Sequence, residues 1–183
     1  MSWSTETDDP GEAPRSAPRS ELMENMEALR SLPMFAGISF EIIKLHAYTA
    51  QRWRVPAGSP IFRQGTPAER AHLILDGRVR LSAERAGRPF TLQELDAGDF
   101  FGYMSLLAEY EWPLCAEAIV DTELLLLDRE SFRRILTRFP EQCLRIVERL
   151  VQMRIRRMRE HLGVLLDTIS DADHAAAIYA MES

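Results

Sequence analysis

Cysteine is scarce in this chain of 183 residues: Cys115 and Cys143 are the only two, which argues against the disulfide framework that staples small exported domains. Both read as free thiols. No apolar run approaches the roughly 20 residues of a membrane span, and the N-terminal segment lacks the apolar stretch of a signal peptide, so a cytoplasmic protein is expected. Positive charge is in the minority, with 22 Lys and Arg against 28 Asp and Glu and a net charge of -6, which argues against general nucleic-acid affinity. His46, His72, His161 and His174 lack the close spacing of a metal site. A nucleophile–base pair and a Gly-rich nucleotide loop are also missing, so no enzymatic activity is expected.

What is present suffices for one core. A hydrophobic content of 46% at this length supports a single folded domain and is short for two. Residues 1–19 hold Pro10, Pro14 and Pro18, several Ser and Thr, and almost no branched aliphatics. Such a segment cannot bury enough surface to offset its ordering and reads as a disordered arm. The folded part is expected over 20–139, followed by a long helix at 140–166 and an acidic tail at 167–183.

Ser20 reads as the cap of a first helix with Leu22, Met26 and Leu29 on one stripe, ended by Pro33, and a second short helix is expected over 39–49. From Gln51 the pattern changes to short extended runs punctuated by Gly, Pro and Asp. Strands are expected at 55–62, 72–75, 78–83, 90–95, 115–120 and 123–127. Asp76-Gly77 suits a two-residue primed turn, which reads as a hairpin joining 72–75 to 78–83. In the second of these, Val79, Leu81 and Ala83 alternate with Arg78, Arg80 and Ser82, giving one buried and one wet face. The fold class is therefore α+β: an antiparallel β-roll of jelly-roll, double-stranded β-helix type, flanked by N-terminal helices and a long C-terminal helix.

Asp128 reads as the cap of a helix with Phe132, Ile135 and Leu136 inward, broken at Phe139-Pro140, and Pro140 suits the first turn of the next helix. There Leu144, Val151, Ile155, Met158, Leu162 and Leu165 follow the alternating four-three spacing of a coiled-coil seam, with Glu148 in the one polar slot. A homodimer through this helix is expected. Arg154, Arg156, Arg157 and Arg159 flank the seam and read as solvated interhelical partners of Glu148 or Glu160, with a docking surface for an acidic partner as the other use. About 18 residues follow Leu165, carrying Asp167, Asp171, Asp173 and Glu182, with one short helix expected near 171–181. Acidity there is wrong for DNA, so no direct DNA binding is expected, and the narrow apolar stripe suits a helix partner better than a membrane.

Five motifs carry a resemblance to a known family: Leu32-Pro33-Met34-Phe35, Pro56-Ala57-Gly58-Ser59-Pro60-Ile61-Phe62-Arg63-Gln64-Gly65, Leu75-Asp76-Gly77-Arg78-Val79, Ala97-Gly98-Asp99-Phe100-Phe101-Gly102 and Asp128-Arg129-Glu130-Ser131-Phe132. Each is weak alone, but in this order they resemble the cyclic nucleotide-binding domain family over about 29–162. The resemblance implies a β-roll that holds a ligand against a short internal helix, lidded by the C-terminal helix. It places a candidate pocket at Phe101, Gly102, Tyr103, Met104, Ser105, Leu114, Cys115 and Ala116. In the family a phosphate meets the backbone after the glycine, an acidic side chain takes the ribose hydroxyl, and an arginine pairs the phosphate.

Those two charged positions are Tyr103 and Leu114 here. Tyr103 keeps a hydroxyl but adds a ring, and Leu114 neither pairs nor hydrogen-bonds a phosphate. Each lost hydrogen bond to a charged group removes about 1.5–3 kcal/mol, or one to two decades of affinity. Glu109 and Glu111, in the loop between them, do not help an anion. Arg63, Arg78, Arg80 and Arg88 read as solvated strand arginines, with an unconventional ligand contact as their other use. An iron–sulfur cluster needs about four thiolates, and a lone His72 or Cys115 on an apolar strand reads as core rather than as a haem ligand. No cofactor is assigned, with a cyclic nucleotide as the alternative.

A non-catalytic regulatory module is therefore expected, dimeric and acting through an unidentified protein partner, with a diverged pocket. The alternatives are a genuine cyclic AMP or cyclic GMP sensor with unconventional contacts, and a ligand-free scaffold whose pocket is filled by Tyr103, Met104 and Trp112.

Overall fold

A computed structural model describes residues 19–85 and 88–181, with side chains at 20–83, 90–164 and 166. The expected arm falls outside the described residues except for Arg19, as do the side chains of Arg88 and Leu165 and those of the acidic tail. The first helix, α1 (Arg19–Ser31), starts one residue before the anticipated Ser20 cap and buries Met26 and Leu29. Pro33 opens a one-turn 3₁₀ helix (Pro33–Phe35) that turns the chain into α2 (Phe40–Thr49).

Eight strands follow: β1 (Gln51–Val55), β2 (Pro60–Phe62), β3 (Arg70–Asp76), β4 (Arg78–Arg85), β5 (Arg88–Asp96), β6 (Phe100–Phe101), β7 (Cys115–Ala118) and β8 (Thr122–Asp128). They form two four-stranded sheets, ordered β1-β8-β3-β6 and β2-β7-β4-β5, with every pairing antiparallel. This is the expected roll. The run anticipated as one strand at 55–62 is divided between the two sheets by the turn that ends at Gly58 and Ser59.

The hairpin read at Asp76-Gly77 is not one: β3 pairs with β6 and β8, whereas β4 pairs with β5 and β7. Asp76-Gly77 is instead a corner at which the chain leaves one sheet for the other. Gly77 has φ +95°, and a β-carbon there would lie 2.5 Å from Thr122 Oγ1 and 2.7 Å from the Asp121 carbonyl oxygen. Glycine is needed because the β7–β8 turn presses on the corner. The hairpin in this region is β4–β5, paired from Arg78↔Asp96 to Arg85↔Arg88 with a register shift between Leu81 and Ser82.

Asp128 caps α3 (Arg129–Arg138), its carboxylate accepting from the Ser131 N–H at 2.9 Å. Pro140 then starts α4 (Pro140–Met181), one continuous helix that passes both the end near 166 and the separate short helix suggested by the sequence. Its first turns close a core of Phe35, Ile42, Phe132, Ile146 and Leu150 against Leu73 and Leu125 of the sheet. A second cluster, with Val55, Ile74, Val79, Leu95 and Leu124, fills the roll. Among the described residues no helix is long and apolar enough to cross a membrane.

Candidate functional site

Strand β6 is only two residues long and sits on the edge of β3, with Phe101 opposite His72 and Phe100 opposite Leu73. Gly102 ends it at φ +70°, in the left-handed region, and the chain enters a one-turn 3₁₀ helix, Tyr103–Leu106. A β-carbon on Gly102 would stand 2.6 Å from Cη2 of Trp112. The glycine therefore serves both the turn and the indole seated against it.

Trp112 is held from both sides. Its N–H donates to the Thr66 carbonyl at 2.8 Å and its carbonyl accepts from the Gly65 N–H at 2.8 Å, while the Ala68 N–H donates to the Tyr110 carbonyl at 2.9 Å. Its ring stacks on Phe62 at 3.9 Å. Arg129, at the first turn of α3, fixes the 3₁₀ helix: its Nε–H donates to the Ser105 carbonyl at 2.6 Å, a second guanidinium nitrogen donates to the Ala68 carbonyl, and the third lies 3.4 Å from Glu109. His72 stacks on Phe101 at 4.9 Å in the roll interior. Burial, aided by the charge of Arg70, lowers its pKa to about 3, so it is neutral at physiological pH.

These elements enclose a cavity of about 450 Å³. Phe100, Phe101, Gly102, Tyr103 and Met104 line it together with Trp112 and Leu114, and Arg154, Arg157 and His161 line it from α4. Burial raises the Tyr103 and Tyr110 pKa values, against the opposing charge of Arg154, so both phenols are neutral hydrogen-bonding groups. Of the anticipated pocket residues, Ser105, Cys115 and Ala116 do not line this cavity. Ser105, within the 3₁₀ helix, is fully buried, Ala116 belongs to the roll interior, and the Cys115 sulfur accepts from the Gln64 N–H at 3.3 Å.

The strand arginines go elsewhere. Arg78 pairs with Asp96 at 2.8 Å and Arg80 with Glu94 at 3.1 Å, and Arg63 lines a second cavity of about 610 Å³ that shares Phe62 and Trp112 with the first. Arg154 and Arg157, read from sequence as solvated partners of a seam, instead face the first cavity. Their signal was available: Cys143, Ile146, Leu150 and Met153 form an inward stripe whose next steps are Arg157 and His161.

A roll with this strand order, an internal one-turn helix and a helix laid over its cavity defines a regulatory ligand-binding class. The sequence model described as "Cyclic nucleotide-binding domain" matches residues 52–139. The chain is 37% identical over 133 residues to the cyclic AMP receptor protein of Thermus thermophilus, covering 72% of this chain and 60% of that protein. A solved cyclic nucleotide-binding-like protein from Brucella abortus is 31% identical with a TM-score of 0.57, the match covering 62% of this chain and 98% of that one. The Thermus thermophilus catabolite activator protein structure is 36% identical with a TM-score of 0.62, over 73% of this chain and 63% of that one. This chain belongs to the cyclic nucleotide-binding domain family.

Proposed function

We propose that this chain is a non-catalytic regulatory module, cytoplasmic and dimeric through α4, that acts on a protein partner and whose pocket no longer uses the family's charge pair for cyclic nucleotides. The observation that carries this reading is the placement of Tyr103 and Leu114 on the cavity itself. A phenol and an isobutyl group stand where a carboxylate and a guanidinium would be needed. Support for dimerisation comes from Leu144, Val151, Ile155, Met158 and Leu162, all large apolar side chains between 43% and 61% exposed along one stripe of α4.

Titration calorimetry with cyclic AMP and cyclic GMP tests the pocket. Negligible heat below millimolar nucleotide is expected, and submicromolar binding of either would overturn the reading. The double variant Tyr103→Glu with Leu114→Arg is expected to gain measurable affinity, because it puts a carboxylate and a guanidinium on the cavity lining. For the dimer, light scattering at tens of micromolar protein is expected to give twice the chain mass, and Ile155→Glu with Met158→Glu to halve it.

A further inference from the structure

The inward stripe of α4 changes character along its length. Cys143, Ile146 and Leu150 are buried apolar contacts. Where the same face passes over the cavity it becomes Arg154, Arg157 and His161, spaced three and four residues apart and so neighbours on one side of the helix. Several arginines of the domain have a carboxylate at hand, as Arg52 with Glu24, Arg78 with Asp96, Arg80 with Glu94 and Arg129 with Glu109. Among the described residues, neither Arg154 nor Arg157 has one within 4.0 Å. Glu160 acts electrostatically on Tyr103 but pairs with neither arginine.

The rest of the lining is mostly aromatic and apolar. Phe100 and Tyr103 stack at 5.7 Å with 19° between their planes, Phe62 and Trp112 stack at 3.9 Å, and Leu114 and Met104 complete the surface. The Gly102 turn, by contrast, offers an anion little. Its helix has four residues, so few peptide dipoles add, and the indole of Trp112 is seated against the glycine.

We infer that this cavity binds a small aromatic carboxylate, its carboxylate paired by Arg154 and Arg157 and its ring lying on the aromatic wall. Guanidinium groups match a carboxylate in a planar, two-bonded fork, and a cavity of about 450 Å³ accommodates a bicyclic ligand. The anion site has thereby moved from the roll to the helix that covers it. This assignment rests on the preceding reading that the charge pair at positions 103 and 114 is gone.

Titration calorimetry on the full chain tests it with three probes: 2-naphthoate, its neutral analogue 2-naphthalenemethanol, and cyclic AMP. Naphthoate is expected to bind at least tenfold more tightly than the alcohol, to weaken at least tenfold in Arg154→Gln with Arg157→Gln, and to recover in part in Arg154→Lys with Arg157→Lys. Arg154 is exposed and Arg157 half-buried, so these variants are expected to keep the wild-type circular dichroism and melting temperature. Absence of naphthoate binding at millimolar concentration, or equal binding by the Gln variant, would overturn the aromatic-carboxylate assignment while leaving the diverged-pocket reading intact. Submicromolar cyclic AMP binding would overturn that reading, and this assignment with it.

Discussion

The two halves of α4 obey different rules. Up to Leu150 the helix is part of the core: Cys143, Ile146 and Leu150 are buried, Gln142 accepts from the Ser39 N–H at 2.9 Å, and Arg149 donates to the Ala36 carbonyl. After Leu150 no described side chain on the helix is buried. The first half holds the helix to the domain, and the second presents exposed and half-buried side chains. Each cavity-facing residue there is followed directly by a seam residue, Arg154 by Ile155, Arg157 by Met158 and His161 by Leu162. Any rotation of the helix that draws the cationic stripe toward the cavity therefore re-aims the apolar stripe as well.

The strongest way to break this contrast is to truncate one apolar side chain in each half. Ile146 and Leu150 are fully buried, whereas Ile155 is 47% exposed. Ile146→Ala and Leu150→Ala are expected to cost about 2–5 kcal/mol each, and Ile155→Ala less than about 0.5 kcal/mol. Urea unfolding at dilute protein measures both. Comparable losses in the two halves would mean that the second half is packed as firmly as the first.

Much of the scaffold was legible because its signals are local. The Asp128 cap and the Pro140 start each depend on one or two residues, and both appear. The corner at Asp76-Gly77 shows where local signals stop. Asp-Gly specifies a tight reversal, but which strands then pair is decided by burial, and the buried run Ala71 to Ile74 places β3 between β8 and β6. At the site, Tyr103 and Leu114 were legible because a motif surrounds them, and both line the cavity. Arg154 and Arg157 were not, because arginines beside a heptad seam have the same spacing whether they face solvent or a cavity. Only the rotation of α4, fixed by Cys143, Ile146 and Leu150, separates the two.

Acid sharpens the contrast from the core side. His46 sits in the helical core 5.2 Å from the rings of Phe35 and Phe132, with no partner for Nε2 among the described residues. Burial lowers its pKa from 6.5 to about 4, so the folded state holds it neutral while the unfolded state protonates it more readily. Its contribution is present above pH 6.5 and is lost as pH falls toward 4. At about 1.4 kcal/mol per unit the loss is on the order of 3 kcal/mol, and His72, lowered to about 3, acts with the same sign. Urea midpoints at pH 7.5, 5.5 and 4.5 are expected to fall steadily, with a shallower slope in His46→Leu. An unchanged slope in that variant would place the acid sensitivity elsewhere.

The smallest expected effect separates position along the helix from position around it. Leu144 lies in the anchored half, next to buried Cys143, yet it is 61% exposed because it lies off the inward stripe. If burial is set by the face, Leu144→Ala is expected to change the unfolding free energy of dilute protein by less than about 0.5 kcal/mol, as Ile155→Ala does. Its cost is expected to appear only as protein concentration rises, through a weaker dimer, because a side chain covered by a second copy stabilises by mass action. Unfolding midpoints measured across a hundredfold range of concentration distinguish the cases. A loss in dilute protein comparable to that of Leu150→Ala would show that the whole circumference of the first half is anchored, and that the seam begins only beyond Leu150.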